Sequence, residues 1–187
     1  TGGFGAVYGG RISSIMDISS KDGNKKQFSG KASVSPFGSK LMVEGPLKKL
    51  SDDGGASISY VFSGKTSYLE QSSKFLYSYI DSAGLPFNFT DLYGKVSVNG
   101  ENGSKVNFFG FNYNDQVRYK AVSDLNWDAW GAGTNFMVLP SSSPVLIMGK
   151  FNISDYQISL AENDPNSGEQ MPPRSSKING FNLGFDF

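Results

Sequence analysis

The stretch YGKVSVNGENGSKVNFFGFNY, residues 93–113, decides the fold. Apolar and polar residues alternate in each half of it, and successive residues of a strand point to opposite faces of a sheet, so each half predicts a β-strand with one apolar wall. Residues 100–103, Gly-Glu-Asn-Gly, tolerate positive φ angles and predict the short loop of a hairpin between the two strands. The predicted apolar walls are formed by Gly94, Val96 and Val98 in the first strand and by Phe109, Phe111 and Tyr113 in the second.

The composition excludes several classes of function. The 187-residue chain has 17 Lys and Arg residues and 17 Asp and Glu residues, so no net field draws it to nucleic acid. It has no Cys and no His, which excludes thiol catalysis, Cys/His metal sites and His-based triads. We find no catalytic constellation and expect no enzymatic activity, no cofactor and no metal site. No run of about 18–20 apolar residues predicts a transmembrane helix, whereas strands of about 9–11 alternating residues are able to span a membrane.

Read in order, the sequence predicts about eight strands and no convincing helix. Residues 115–125 form a polar stretch that predicts a loop, into which the preceding strand can extend as far as Tyr119. Residues 72–80 predict a helical turn or two within a loop. Apolar positions change phase within 145–160, which predicts a β-bulge near residues 154–155. The predicted strands are residues 27–35, 40–45, 56–69, 94–99, 109–114, 127–139, 145–160 and 179–187.

The connections between the predicted strands alternate in length. Those after the second, fourth and sixth strands are compact (46–55, 100–104 and 140–144), and those after the third, fifth and seventh are longer. Short turns at one end and long loops at the other are typical of an outer-membrane barrel. Aromatic residues near strand ends fit interfacial girdles, although such residues also simply favour strands. The residues concerned are Tyr68, Tyr93, Tyr113, Tyr119, Trp127 and Tyr156.

The direction of the apolar wall separates two kinds of all-β protein. In a membrane barrel the wall faces lipid and the Ser/Lys/Asn wall lines a wet lumen, whereas in a soluble sandwich the apolar wall points inward. Long strands and unequal loops favour the membrane. A closed barrel of about eight strands is filled by its own side chains, and an unclosed one exposes backbone groups at both edges. The chain is therefore either a small closed barrel with an external N-terminal arm or part of a larger barrel.

Several stretches resemble one family. Residues 8–18 (YGGRISSIMDI) and 21–24 (KDGN) resemble the end of the plug domain in TonB-dependent outer-membrane receptors, especially Bacteroidota members with a carboxypeptidase-regulatory-like domain. Residues 39–49 are similar to their first descending strand and periplasmic turn, and residues 56–69 to their third strand. The resemblance is specific over about residues 5–69 and rests elsewhere on a shared hairpin rhythm.

This resemblance implies both an architecture and a function. Residues 1–25 would be the C-terminal end of a plug domain, and residues 26–187 the first third of a transmembrane barrel of 22 strands. The function would be import of a scarce nutrient of the siderophore, glycan or peptide class, with energy delivered through TonB. Implied partners are outer-membrane lipid and the TonB complex, which would bind an N-terminal part missing from this sequence. Whether a surface lipoprotein lid is a further partner is left undecided by the resemblance, and no nucleic acid is expected. A small closed barrel with a structural or adhesive role, and a soluble β-sandwich binding module, remain alternatives.

The resemblance also suggests two sets of site residues. Arg11 and Glu44 are candidates for a releasable plug–barrel latch, because the family holds plug and barrel together by Arg–Glu pairs. Substrate contacts would lie on plug apices and outer loops. In the loop of residues 75–89, aromatic rings suited to stacking on sugar or chelate rings are candidates, although packing within the loop would explain them equally well. These rings are Phe75, Tyr77, Tyr79 and Phe87.

Overall fold

The structure is a computed structural model that describes residues 19–51, 55–79, 84–119, 123–141, 145–164 and 167–187. Its elements in chain order are β1 (Ser29–Ser35), β2 (Gly38–Lys48), β3 (Ser57–Ser67), α1 (Leu69–Leu76), β4 (Phe87–Asn99), β5 (Lys105–Tyr119), β6 (Ser123–Val138), β7 (Ile147–Glu162) and β8 (Arg174–Asp186). The eight strands form one antiparallel sheet in sequence order, so the predicted all-β meander is confirmed.

The sheet is open in the part of the chain that the structure describes. β1 pairs with β2 and β8 with β7, and no pairing joins β1 to β8. Each edge strand therefore has one row of backbone N–H and C=O groups without a strand partner among these residues.

The helix lies in the connection between β3 and β4. It begins at Leu69, before the helical turn that the sequence predicts within residues 72–80. Lys74 and Glu70, one turn apart, form an ion pair of 3.0 Å between Nζ and Oε1, and Asn88 donates a hydrogen bond of 3.1 Å to the same Glu70 carboxylate. These contacts tie the helix to β4. No helix of the described ranges is long and apolar enough to cross a membrane.

The two faces of the sheet differ in what covers them. Residues 20–25, which we term the docking segment, lie against one face through side-chain contacts to β2, β4 and β5. We term the face that carries Lys95 the segment face, and the opposite face, which carries Val96, the open face. Residues directly opposite each other on neighbouring strands point to the same face, so the register assigns the other strand positions.

The open face carries an apolar band to which all eight strands contribute. Its large side chains are exposed: Phe108 by 52%, Leu183 by 60% and Phe181 by 82%. One member of the band from each strand, β1 to β8, is Ala32, Leu41, Phe62, Val96, Phe108, Phe136, Phe151 and Leu183.

The buried side chains lie mainly on the segment face, and they are mainly polar. Among the described residues, Val61 is the one buried hydrophobic side chain. The buried polar side chains of the sheet are Glu44, Ser57, Ser59, Lys95, Ser97 and Asn107. This distribution reverses the rule for water-soluble domains, in which apolar side chains are inside and charged ones are almost never fully buried without a partner.

The predicted walls of the opening hairpin require a correction. Lys95 lies opposite Phe109 and Tyr93 opposite Phe111, so both phenylalanines share the segment face with the lysine. The apolar wall of β4 continues instead into Phe108, which lies opposite Val96. The sequence has two adjacent phenylalanines, and alternation within one strand does not tell which of them continues the neighbour's wall; only the pairing register does.

Apolar residues change face part-way along the strands. In β7, Phe151 and Ile153 point to the open face, whereas Ile158 and Leu160 point to the segment face. β7 pairs with β6 and β8 without a register shift, so the β-bulge predicted at residues 154–155 is wrong. The strand continues regularly and its polarity inverts. The inversion follows one row across the sheet, Asn112, Trp130, Asp155 and Asn179, beyond which the open face is polar.

Two further expectations, the loop over residues 115–125 and the aromatic girdles, also differ from the structure. β5 runs to Tyr119 and β6 begins at Ser123, so most of the loop predicted over residues 115–125 is paired strand. Five of the six aromatic residues expected in girdles point to the segment face, and so they do not border the apolar band. They are Tyr93, Tyr113, Tyr119, Trp127 and Tyr156.

Candidate functional site

Asp22 is the centre of the contacts between the docking segment and the sheet. Its Oδ1 lies 3.0 Å from Nζ of Lys95, and its Oδ2 lies 2.7 Å from Nζ of Lys105. Ser97 Oγ donates a hydrogen bond of 3.0 Å to Oδ1. The side chain of Lys95 is 7% exposed, so the carboxylate neutralises a cation that is held out of water. The carbonyl of Ser20 accepts a second hydrogen bond from Lys95, at 2.9 Å.

These surroundings lower the pKa of Asp22 from 3.8 to about 2. Burial acts in the opposite direction, because it disfavours the charged form, but hydrogen bonds from Lys105, Lys95 and Ser97 outweigh it. Asp22 is therefore ionised at neutral pH, and both of its lysine contacts are charge-assisted hydrogen bonds.

Glu44 forms a second contact, in which the docking segment supplies the cation and the sheet supplies the anion. Lys21 of the docking segment places Nζ 2.8 Å from Glu44 Oε1, and Ser29 donates a hydrogen bond of 3.2 Å to the same oxygen. The latch prediction paired Glu44 with Arg11, which lies outside the described residues. In the described part of the chain the cation beside Glu44 is Lys21. The docking segment thus presents a cation to an acidic strand residue and, one position later, an anion to two basic ones.

The backbone of the docking segment is held as closely as its side chains. At Gly23 a Cβ atom would lie 1.9 Å from the carbonyl oxygen of Tyr60, so only glycine allows this approach to β3. Lys25 donates to the side chain of Asn99 at 3.1 Å, and its carbonyl accepts the Leu50 N–H at 3.0 Å. Contacts to β2, β3, β4 and the β2–β3 connection therefore fix six consecutive residues.

The interface beside the docking segment is polar rather than apolar. The buried Oγ atoms of Ser57 and Ser59 and the Oδ1 atom of Asn107 have no hydrogen-bond partner within the described residues. Asn107 uses its Nδ2 for a hydrogen bond of 2.6 Å to Asn135. Unpaired buried polar atoms are costly in an apolar medium, so the polar character of this interface does not come from hydrophobic packing.

The four aromatic residues predicted to contact substrate do not form one cluster. Tyr77 stacks on Phe37 of the β1–β2 turn (centroids 6.1 Å apart) and meets the edge of Tyr79 at 6.2 Å. Phe75, in α1, is 86% exposed. Phe87 begins β4 opposite Val117, away from this stack. Tyr77 and Tyr79 are thus brought together, and Tyr77 also contacts Phe37, a ring that the sequence did not suggest.

The sequence also missed Asp22, Lys95 and Lys105 as partners. Asp22 belongs to a KDGN stretch that predicts a turn, and the two lysines lie on strand positions that predict a solvated wall. A usable signal was present: Lys95 and Ser97 alternate with apolar residues on a wall that must face something polar, and residues 1–25 contain just two acids, Asp17 and Asp22.

Other chemistry is limited in the described ranges. They contain no group of three or more acidic, His or Cys side chains arranged to hold a metal ion. Comparison of the chain with protein-family models, with curated proteins and with solved structures finds no match.

Proposed function

We propose that the chain is part of the wall of an outer-membrane β-barrel that works as a nutrient receptor and transporter, with the docking segment as the end of a plug inside it. The observation that carries this proposal is the reversed distribution of side chains: the exposed band on the open face is apolar, and the buried residues on the segment face are polar. Lipid on one side and a wet lumen on the other would suit this distribution.

The dimensions of the band support a membrane rather than a second protein layer. In β6 the band runs from Trp130 to Val138, which at about 3.3 Å per residue is about 26 Å along the strand. With a strand tilt of about 40° this corresponds to a band about 20 Å high, close to the apolar belt of about 25 Å in outer-membrane barrels. β5, β6 and β7 have 15, 16 and 16 residues, longer than the 9–11 that spanning needs, so their far ends would stand outside the hydrocarbon.

The inversion of polarity supports the same assignment. A sheet in a soluble sandwich keeps its apolar residues on one face along the whole strand. Here they change face at one level in neighbouring strands, with Phe151 on the open face and Ile158 on the segment face of the same strand. Hydrocarbon that ends at this level would explain the change.

The open edges support a larger assembly. Unpaired backbone groups at β1 and β8 would be prohibitively costly in lipid, so further strands must complete the wall. A barrel of 22 strands, as in TonB-dependent receptors, has room for a plug, whereas one of about eight strands is filled by side chains. Within this proposal the chain resides in the outer membrane, imports a siderophore, glycan or peptide, and receives energy through TonB bound elsewhere on the protein, with or without a surface lipoprotein lid.

The two tryptophans provide the test. Trp130 points to the open face and is 46% exposed, whereas Trp127, three residues earlier, points to the segment face. In the protein from membranes, reconstituted into vesicles of brominated phosphatidylcholine, Trp130→Phe should reduce the fraction of tryptophan emission that bromine quenches, and Trp127→Phe should increase it. Equal quenching of the two variants, or none of either, would refute lipid contact of the open face.

A second measurement separates the alternatives. A membrane barrel should require detergent for extraction and migrate differently on a gel before and after boiling, which a soluble sandwich does not. The intact protein from membranes should have a mass well above the 20.2 kDa of this chain. A mass of 20.2 kDa together with heat-modifiable migration would instead favour a small closed barrel with a structural or adhesive role.

A further inference from the structure

A groove of about 330 Å³ lies on the segment face at the end of the sheet that carries α1. Lys40 and Lys65 lie directly opposite each other on β2 and β3, and both point into this face. Like charges at directly opposed positions repel each other, so the pair destabilises the empty sheet unless an anion lies between them. The other side chains that line the groove and matter here are Ser33, Phe37, Ser67 and Phe89.

The two lysines are neutralised unequally. Lys65 lies 3.7 Å from a carboxylate oxygen of Asp91 and places its Nζ 4.2 Å from the centroid of the Phe89 ring. Lys40 has no ion pair within the described residues. Asp91 on β4 and Asp115, opposite Phe89 on β5, both lie on the Lys65 side of the groove and act electrostatically on Lys65, so Lys40 is the cation that has no carboxylate beside it. The groove therefore suits a single negative charge.

The wall opposite the lysines is held in place before any ligand arrives. Ser35 Oγ donates to the Gly38 carbonyl at 3.1 Å and accepts from the Gly38 N–H at 3.2 Å, which closes the β1–β2 turn on itself. Ser67 Oγ and the Tyr68 N–H both donate to the Phe37 carbonyl, at 3.0 and 3.1 Å. A Cβ atom at Gly38 would lie 2.6 Å from a backbone oxygen of β3, so the turn also packs closely on its neighbour. Such fixed walls lower the ordering cost of binding.

The groove also offers a flat apolar surface. Phe37 is 44% exposed, and its ring is supported from behind by Tyr77, whose plane is inclined by 14° to it. Phe89 carries the Lys65 ammonium group near its ring. Aromatic rings fixed at the edge of a charged groove favour stacking of a second planar group.

We propose that this groove binds a small monocarboxylate carried on a flat ring, with the carboxylate between Lys40 and Lys65 and the ring against Phe37. The carboxylate supplies the counter-charge that Lys40 lacks, and the hydroxyl of Ser33 is placed to donate to it. In this arrangement Tyr77 and Tyr79 act behind Phe37, which positions them to support a ligand without touching it. That the ligand is cargo for import rests on the proposed function; binding itself does not.

Benzoate tests the inference, with benzyl alcohol and acetate as probes that keep only the ring or only the charge. Titrations use the full-length protein from membranes in detergent micelles, followed by calorimetry or by shifts of amide resonances. Benzoate should bind saturably and at least ten times more tightly than either partial probe. Lys40→Gln should weaken benzoate at least tenfold and leave benzyl alcohol unchanged, while Lys48→Gln, at the exposed far end of the same strand, should have no effect.

Three results would overturn the inference: equal affinity for benzoate and benzyl alcohol, equal effects of Lys40→Gln and Lys48→Gln, or no saturable binding of benzoate. Phe37→Leu separates the ring contact from the charge, because it should weaken benzoate and leave acetate unchanged. Heat-modifiable migration of each variant on a gel reports whether the fold is intact. A protein that keeps that migration but fails to bind benzoate would refute the groove and leave the membrane proposal standing.

Discussion

Replacing Asp22 with asparagine should release the docking segment from the sheet while leaving the sheet intact. The substitution keeps the shape of the side chain and removes the charge that faces Lys95 and Lys105 at 3.0 and 2.7 Å. Lys95, 7% exposed, is then left with the Ser20 carbonyl and no counter-ion. Because a buried cation without its partner is strongly unfavourable, the loss falls on the docked state alone.

The loss of docking free energy in Asp22→Asn follows from the pKa of Asp22 and from the cost of breaking a buried ion pair. A pKa lowered from 3.8 to about 2 corresponds to about 2 kcal/mol of preference for the ionised carboxylate in the docked state. Breaking a fully buried ion pair costs about 3–5 kcal/mol, but Lys105 is 30% exposed and regains water, which brings the expected value down. We expect docking to weaken by about 2 kcal/mol, which is about a 30-fold rise in the exchange rate of amides protected only by docking.

The Leu50 amide is a suitable reporter, since its N–H bonds to the Lys25 carbonyl at 3.0 Å. Hydrogen exchange of the full-length protein in micelles should show the rise at Leu50 in Asp22→Asn and no change in the paired amides of β6 and β7. Glu101→Gln, which removes an exposed carboxylate from the β4–β5 turn, is the matched control. If Leu50 exchanges at the wild-type rate in Asp22→Asn, or equally fast in both variants, the ion pairs of Asp22 do not hold the segment.

Three further predictions use the same protein. Acid should undock the segment, because the folded pKa of Asp22 lies below its ordinary value. The contribution of Asp22 to the free energy of docking is complete above about pH 5 and is lost as the pH falls from about 4 towards 2. Hydrogen exchange measured across that range will detect the loss. Gly23→Ala should accelerate exchange even more than the charge change, because its Cβ would lie 1.9 Å from the Tyr60 carbonyl oxygen; an unchanged rate would show that the close approach is not needed. Phe151→Lys, in the apolar band, should lower the free energy of unfolding in phospholipid vesicles by about 2–4 kcal/mol in denaturant titrations. Gln157→Lys, on the same face of β7 beyond the inversion, should change it by less than about 1 kcal/mol. Similar losses in the two variants would argue against hydrocarbon at the band.

The sequence predicted the features that are local. Alternation with a period of two is a property of each strand by itself, so the eight strands and the meander could be predicted without knowledge of their neighbours. The face of Phe109 could not, because the choice between Phe108 and Phe109 depends on the register against β4. The polar stretch 115–125 predicted a loop for a similar reason: Gln116, Arg118 and Asp124 fill the open face of two paired strands, and polarity alone does not separate a solvated strand from a loop.

The site was predictable to the same extent. Glu44 was named because the resemblance to TonB-dependent receptors implies an Arg–Glu latch, and the latch with Arg11 stays a prediction. Its observed partner, Lys21, lies 23 residues earlier in a turn-like stretch, and no local pattern joins the two. The Asp22 contacts with Lys95 and Lys105 span still longer separations. Tyr77 and Tyr79 were named as aromatic residues of a loop, but Phe37 reaches Tyr77 only because the hydroxyl groups of Ser67 and Tyr68 hold the β1–β2 turn against the end of β3.

The inversion of polarity explains why one rule of alternation gave both correct and wrong results on this chain. Below the row that contains Trp130, most large apolar residues of β6–β8 point to the open face, whereas Phe109 and Phe111 of β5 point to the segment face. Beyond that row β6 and β7 place Trp127, Ile158 and Leu160 on the segment face, as a strand does when water is on its outer side. Within the proposed function, such a strand crosses the boundary between lipid and water. Within that proposal the phase change in β7 marks the position of the boundary, and lipid contact that ended at a different row would contradict it.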